Sequence, residues 1–283
     1  MPDFPIVDAH VHLYDIQRLS YAWLSGAPKI NRTYLLPDFD EACGPVEVDT
    51  IIFAEVAVDP GLHIEEAEFI RGLADRDSRL RGIVAHAPLE NGVAVEADLH
   101  ALKAIRGVCG IRRLIETERN PAFCLEPGFL AALRLLPKFG FSFDICVKHT
   151  ALVYALELAR RCPEVSFVLD HIGKPDIKNG LREPWFTQIA ELAKMENVVC
   201  KLSGVITEAN HASWSADEIK PYVAHVIEKF GFERTMYGSD WTVSELTHLY
   251  PRWVEIVDDV ISGASYQEMR WLYRDTALQT YRL

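Results

Sequence analysis

The chain has 283 residues, 49% hydrophobic and 25% charged, which is enough apolar material to fill a large core. Its formal charge of −12 argues against a nucleic-acid partner, whose phosphates need clustered Lys and Arg, although a few local arginines can still hold an anionic small molecule. No basic stretch adjoins a long apolar run and residues 1–5 lack the features of a secretory signal, so neither a membrane anchor nor export is expected.

In chain order, short β-rich runs alternate with helical patterns. The first expected strand, 6–13, ends in His10-Val11-His12, a spacing of two that puts both imidazoles on one face. A long connection follows at 15–39, carrying Tyr21, Trp23, Leu24 and Tyr34, and loops of that length are commonly lids or binding loops. The second strand, 50–58, contains the apolar run Ile51-Ile52-Phe53-Ala54 and then Glu55, and the third, 81–89, carries His86. The fourth, 108–115, holds Arg112 and Arg113, which must face opposite ways, so that only one enters the barrel mouth. The fifth, 142–148, places Asp144, Cys146 and Lys148 on one face.

Leu152, Ala155, Leu156 and Ala159 then fall at helical spacing, with Pro163 as a stop. The sixth strand, 166–172, runs through Val165-Ser166-Phe167-Val168-Leu169 to His171 and a Gly-Lys-Pro break. The seventh, 198–204, carries Lys201 and Ser203, and a second long connection, 206–217, carries Glu208, His211 and Trp214. A helix with Ile219, Val223, Val226, Ile227 and Phe230 on one face precedes the eighth strand, 235–241, which holds Gly238, Asp240 and Trp241. Gly140 and Gly231 sit where helices should end.

Near-continuous apolar strands are buried on both faces, as in parallel sheets. Eight strand–helix repeats predict an α/β fold, a (β/α)₈ TIM barrel forming one domain over 1–283. An open doubly wound sheet is the alternative, but no GxGxxG follows the first strand. The six cysteines, at 43, 109, 124, 146, 162 and 200, form no CxxC pair and read as reduced, buried thiols of a cytoplasmic protein.

The chemistry collects at strand ends, where a barrel displays its catalytic groups. His10 and His12 can ligate a metal or position water, or be satisfied core histidines; Asp240 can be a general base, a metal ligand or a loop aspartate. Arg112, Lys148 and Lys201 can contact substrate or serve structural ion pairs, as can Glu55, His86 and Asp144. His63, His100, His149, His225 and His248 receive no role.

Val7-Asp8-Ala9-His10-Val11-His12-Leu13, Leu169-Asp170-His171-Ile172-Gly173-Lys174-Pro175, Cys200-Lys201-Leu202-Ser203-Gly204 and Tyr237-Gly238-Ser239-Asp240-Trp241 together resemble the amidohydrolase superfamily. The similarity is to its amidohydrolase-2 branch, which includes sugar-lactone hydrolases, and Gly110-Ile111-Arg112-Arg113 and Phe143-Asp144-Ile145 also fit that branch. The run from Lys201 to Glu208, together with 238–241, looks most like the L-fucono- and L-rhamnono-lactonase group.

The resemblance implies a distorted barrel, with His10, His12, His171 and Asp240 at the superfamily's metal and catalytic positions. The chain departs from the two-metal pattern, with arginines where those members carry a carboxylated lysine and Asp144, Cys146 and Lys148 in place of a strand-five histidine. One divalent metal, zinc, is therefore expected, and the reaction need not require it.

The expected function is hydrolysis of a sugar lactone to its aldonic acid. Asp240 activates water, His171 orients it or steadies the oxyanion, and Arg112, Lys148, Lys201, Trp241 and Glu208 bind the substrate. Rival readings are a zinc-dependent decarboxylase, an amide hydrolase, a lactone isomerase and a non-catalytic sugar-acid binding barrel. Assembly into a homo-oligomer stays open.

Overall fold

The computed structural model describes residues 2–283. Among them eight strands follow in chain order: β1 (Ile6–Val11), β2 (Val48–Ala54), β3 (Leu80–His86), β4 (Val108–Arg112), β5 (Ser142–Ile145), β6 (Phe167–Leu169), β7 (Val198–Leu202) and β8 (Thr235–Tyr237). Each pairs in parallel with the next. Beyond β8 the ring meets β1: His12 N donates to Trp241 O at 2.6 Å and Asp240 N to His10 O at 2.9 Å. This is a distorted (β/α)₈ barrel, as the strand–helix alternation predicts.

Helices follow the strands in turn: α1 (Leu36–Cys43), α2 (His63–Ala74), α3 (Glu96–Ala104), α4 (Pro127–Leu133), α5 (Leu152–Arg161), α6 (Trp185–Leu192), α7 (Ala216–Phe230), α8 (Tyr250–Val260) and a terminal α9 (Thr276–Tyr281). Their apolar stripes meet the outward strand residues, among them Ile51, Phe53, Ile83, Ile111, Phe143 and Leu202. α5 buries Leu152, Ala155, Leu156 and Ala159 and stops two residues before Pro163; Gly140 ends a short helix in the left-handed conformation, φ +70°. No helix among the described residues is long and apolar enough to cross a membrane.

Inside the barrel the lower layer is apolar. Val7, Ala9, Ile52, Val84, Val168 and Met236 pack against Ala277 and Tyr281 of α9, which plugs the bottom. Above it the residues become polar. In β1 the register slips between Asp8 and Val11, and this re-aims the chain: Val7 and Ala9 face inward, whereas Val11 and Leu13 join the outer core. His10 and His12 therefore both point into the barrel above Ala9, while Asp8 faces outward to Tyr250 of α8.

Several strands are shorter than their sequence patterns suggest. β5 ends at Ile145, β6 at Leu169 and β8 at Tyr237. Just beyond the ends of β6 and β8, His171, Ile172, Lys174 and Asp240 adopt positive φ, outside the regular β region. The chain leaves the sheet where it presents its polar side chains.

Candidate active site

The mouth holds a cavity of about 240 Å³ whose wall includes His12, Arg112, Glu116, Cys146, His171, Lys174 and Asp240, together with Tyr14, Trp23 and Val243. Trp23 belongs to the first long connection and is tied down by Nε1 donating to Val56 O at 2.7 Å. That connection folds into short helical turns and forms part of the cavity wall.

Asp240 anchors the centre. Its Oδ1 lies 3.2 Å from His12 Nε2 and 3.7 Å from His10 Nε2. Burial alone would raise its pKa, but the His171, His12 and His10 imidazoles hold the carboxyl below the usual range. The residue sits at φ +58°, an uncommon conformation for a non-glycine and one that turns up at functional sites. His171, at φ +53°, places Nδ1 2.9 Å from Ser203 Oγ, and burial pushes its pKa down to about 4. It is thus neutral near pH 7.

Beneath this lies a buried lattice of charges. Arg112 Nε donates to Glu55 Oε1 at 2.7 Å, its Nη1 to Asp170 Oδ2 at 3.2 Å, and Nη2 to the Glu55 carbonyl. Lys201 Nζ donates to Asp144 Oδ2 at 2.6 Å and lies 3.1 Å from Asp170 Oδ1; Tyr281 OH also donates to Asp144 Oδ2, at 2.7 Å. All these side chains are almost solvent-free. Burial opposes the Asp170 charge, but Lys201, His10 and Arg112 keep its pKa well below the carboxylate norm.

Of the residues expected from sequence, His10, His12, His171, Asp240 and Arg112 converge. Arg113 turns outward to Glu90 and Glu118, so Arg112 is the arginine that enters. Four placements differ from expectation. Lys201 lies under the floor, level with Asp144, because it sits one inward position below Ser203 on β7. Trp241 is fully buried against Tyr34 and Phe39, its Nε1 donating to Glu245, because the chain turns outward after Asp240. Lys148 lies beyond the end of β5 and lines a separate cleft with Glu208. Glu208 Oε1 lies 4.0 Å from the ammonium of Lys174, which is on the cavity wall.

Sequence reading missed Lys174 and its bidentate partner Glu116, at 2.8 and 2.7 Å, both on the cavity wall. It also gave Asp170 no role, although Asp170 shares the inward phase of Val168 and alternation could have found it. Glu116 carried no signal of its own, since it comes from a loop, whereas Trp23 lies in the long first connection, expected to be a lid or binding loop.

Two sets of ligand atoms lie within 4.8 Å of one another, His10–His12–Asp240 and His10–Asp170–His171. Hydrogen-bond accounting favours the first as a cation site. His12 Nδ1 bonds the Ala54 carbonyl at 2.9 Å, so it carries the proton, and the Nε2 lone pair of a neutral ring faces the Asp240 carboxylate. Two acceptors 3.2 Å apart call for a proton or a cation between them. Imidazole nitrogen and carboxylate oxygen are suitable donors for a divalent metal such as zinc. Against this, Arg112 Nη1, which can only donate, lies 3.1 Å from His10 Nε2 and competes for that lone pair.

An L-fucono-1,5-lactonase of Burkholderia ambifaria is 30% identical over 246 residues, covering 85% of this chain and 81% of the relative. One from Burkholderia multivorans is 27% identical over 299 residues, covering 98% and 96%. A crystal structure of an amidohydrolase from Burkholderia multivorans with bound zinc superposes with a TM-score of 0.86 at 25% identity, covering 99% of this chain and all of that one. The amidohydrolase family model matches residues 7–283, nearly the whole chain, and the protein belongs to that family.

Proposed function

We propose that this protein hydrolyses a sugar lactone, of the L-fucono- or L-rhamnono-lactone type, to the aldonic acid. The observation that carries the reading is an ionised Asp240 between His12 and His171 on the wall of a cavity of about 240 Å³. That volume lies below the roughly 300–1,000 Å³ of drug-sized sites and suits a single small ring. The named activities of the relatives support it.

Asp240 takes a proton from the water that attacks the ring carbonyl, a task its depressed pKa permits at neutral pH. His171, oriented by Ser203 and neutral, orients the water or donates to the developing oxyanion. The Arg112 guanidinium reaches the cavity from the floor, held by Glu55 and Asp170, and the Lys174 ammonium from the wall, held by Glu116. A bound zinc would be held by His10, His12 and Asp240 and would polarise the carbonyl. The residues supply base and orienter independently of it. Six buried free cysteines fit the reducing cytoplasm in which we place the enzyme.

The test is a pH-indicator assay over a panel of aldonolactones with wild type and Asp240→Asn. Turnover that survives the substitution within a few-fold removes the general base, whose contribution is about 10²–10⁴-fold. Elemental analysis before and after chelation, paired with residual rates, reports whether zinc is present and required. Indifference to every lactone together with strict metal dependence would favour the decarboxylase or amide-hydrolase reading.

A further inference from the structure

A second cavity of about 510 Å³ adjoins the catalytic one, and Ala57, Leu114 and Thr117 appear in both walls. The element that links them is Glu55. Its Oε1 accepts from Arg112 on the catalytic floor, and its Oε2 accepts from Ala57 N at 2.7 Å. Ala57 is held at φ +49°, a left-handed conformation uncommon for a residue with a Cβ, and a small side chain stands at the junction.

The far wall of this cavity carries His63, His86 and Asp98. His63 Nε2 lies 2.9 Å from Asp98 Oδ1, so it carries the proton and leaves Nδ1 as an acceptor. His86 ends β3 at the mouth face of the barrel, with its ring centroid 5.7 Å from that of His63. Among the described residues its imidazole has no hydrogen-bond partner, and burial lowers its pKa, so it offers one donor and one acceptor. A polar group at a strand end, half-buried and unpaired, is where a barrel meets its ligand.

The charge balance says what kind of ligand fits. Each carboxylate on this wall already has a cationic or N–H partner: Glu55 has Arg112, Asp98 has His63 and Glu90 has Arg113. The wall keeps an excess of carboxylate over cation, which disfavours an anion, and among the described residues the convergent metal-ligand sets are the two at the catalytic mouth. What remains is a set of neutral donors and acceptors spaced along a wall, which suits hydroxyl groups. A cavity roughly twice the size of the catalytic one exceeds the needs of a ring substituent.

We propose that this cavity is a second sugar subsite, in which His86 and His63 bind the hydroxyls of a glycosyl unit attached to the lactone ring held at Asp240. The proposal rests on the lactone-hydrolase reading for the identity of the ring, and extends the substrate class to disaccharide aldonolactones.

The experiment uses the full chain, His86→Phe and Asn91→Trp, the latter a steric block at an exposed position on the same cavity. Steady-state kinetics are measured on lactobionic δ-lactone and on the best monosaccharide lactone of the panel, and calorimetry measures binding of lactitol, which cannot react. Each variant is expected to raise KM for the disaccharide lactone about tenfold, the net worth of a hydrogen bond or two, and to abolish lactitol binding. Neither should change the monosaccharide kinetics more than about twofold, since the groups lost do not face that ring.

Parallel losses on both lactones, or lactitol binding that survives both variants, would overturn the subsite. Lactone turnover without lactitol binding by the wild type rejects the subsite and leaves the hydrolase reading standing. Lactitol binding that depends on His86 in a protein that opens no lactone does the reverse.

Discussion

The interior of the barrel holds two polar regions, and they differ in how their charges are satisfied. In the floor, Glu55, Asp144 and Asp170 surround Arg112 and Lys201, and nearly every bond is made within the protein. At the mouth, Asp240 faces the His12 imidazole across 3.2 Å with no fixed donor between them, and the His171 ring has one partner, Ser203. The floor is closed and the mouth is open. A closed lattice holds geometry, because its members cannot move without exposing a buried charge. An open set has binding capacity left over, which water, substrate or a cation can use.

The largest effect expected from breaking this contrast is at the mouth. Asp240→Asn should lower kcat/KM by about 10²–10⁴-fold while the circular dichroism spectrum keeps its wild-type shape. Lys201→Met should do the opposite. Removing one partner from a buried ionic cluster costs about 3–5 kcal/mol, read as a lower urea midpoint, with activity falling because the fold does. If Lys201→Met were as stable as wild type yet inactive, the division into structural floor and reactive mouth would be wrong.

Gly204 lies where the two regions meet. Its φ is +55°, and a Cβ there would come within 2.7 Å of both Asp240 Oδ2 and His171 Nδ1. Gly204→Ala should therefore lose about 1–2 kcal/mol of stability from backbone strain. It should lose activity beyond that, up to about 10²-fold if Asp240 and His171 shift by an ångström. Thermal melts and kinetics on one preparation separate the two losses.

The smallest effect sharpens the electrostatic side. Asp240 titrates below the ordinary carboxylate range and His171 near 4. Above both values the base is ionised and the imidazole neutral, so the pair should impose no acidic limb between about pH 5 and 8. A limb near pH 6 in kcat/KM, after correction for spontaneous hydrolysis, would place another group in the proton transfer.

The residues that sequence reading found and those it missed differ in a physical way. His10, His12 and Asp240 stand out because polar side chains at the ends of apolar strands are costly unless used. Lys201 looks the same by that rule, yet it is a floor residue, since depth along the strand separates the two roles and sequence does not state depth. Trp241 follows Asp240 directly, but a positive φ sends it to the helical shell. Glu116 and Lys174 come from connections with no periodicity, so nothing in their spacing marked them.

Sequence alone determined the eight-fold alternation, the parallel strands and the polar strand-end residues that meet at the mouth, because burial on both faces and side-chain period are local properties of the chain. Only the tertiary structure decided which charges neutralise one another and which stay available. That depends on the stagger of neighbouring strands, the slip in β1 and the left-handed turns at the mouth, all of which arise when distant segments close the ring.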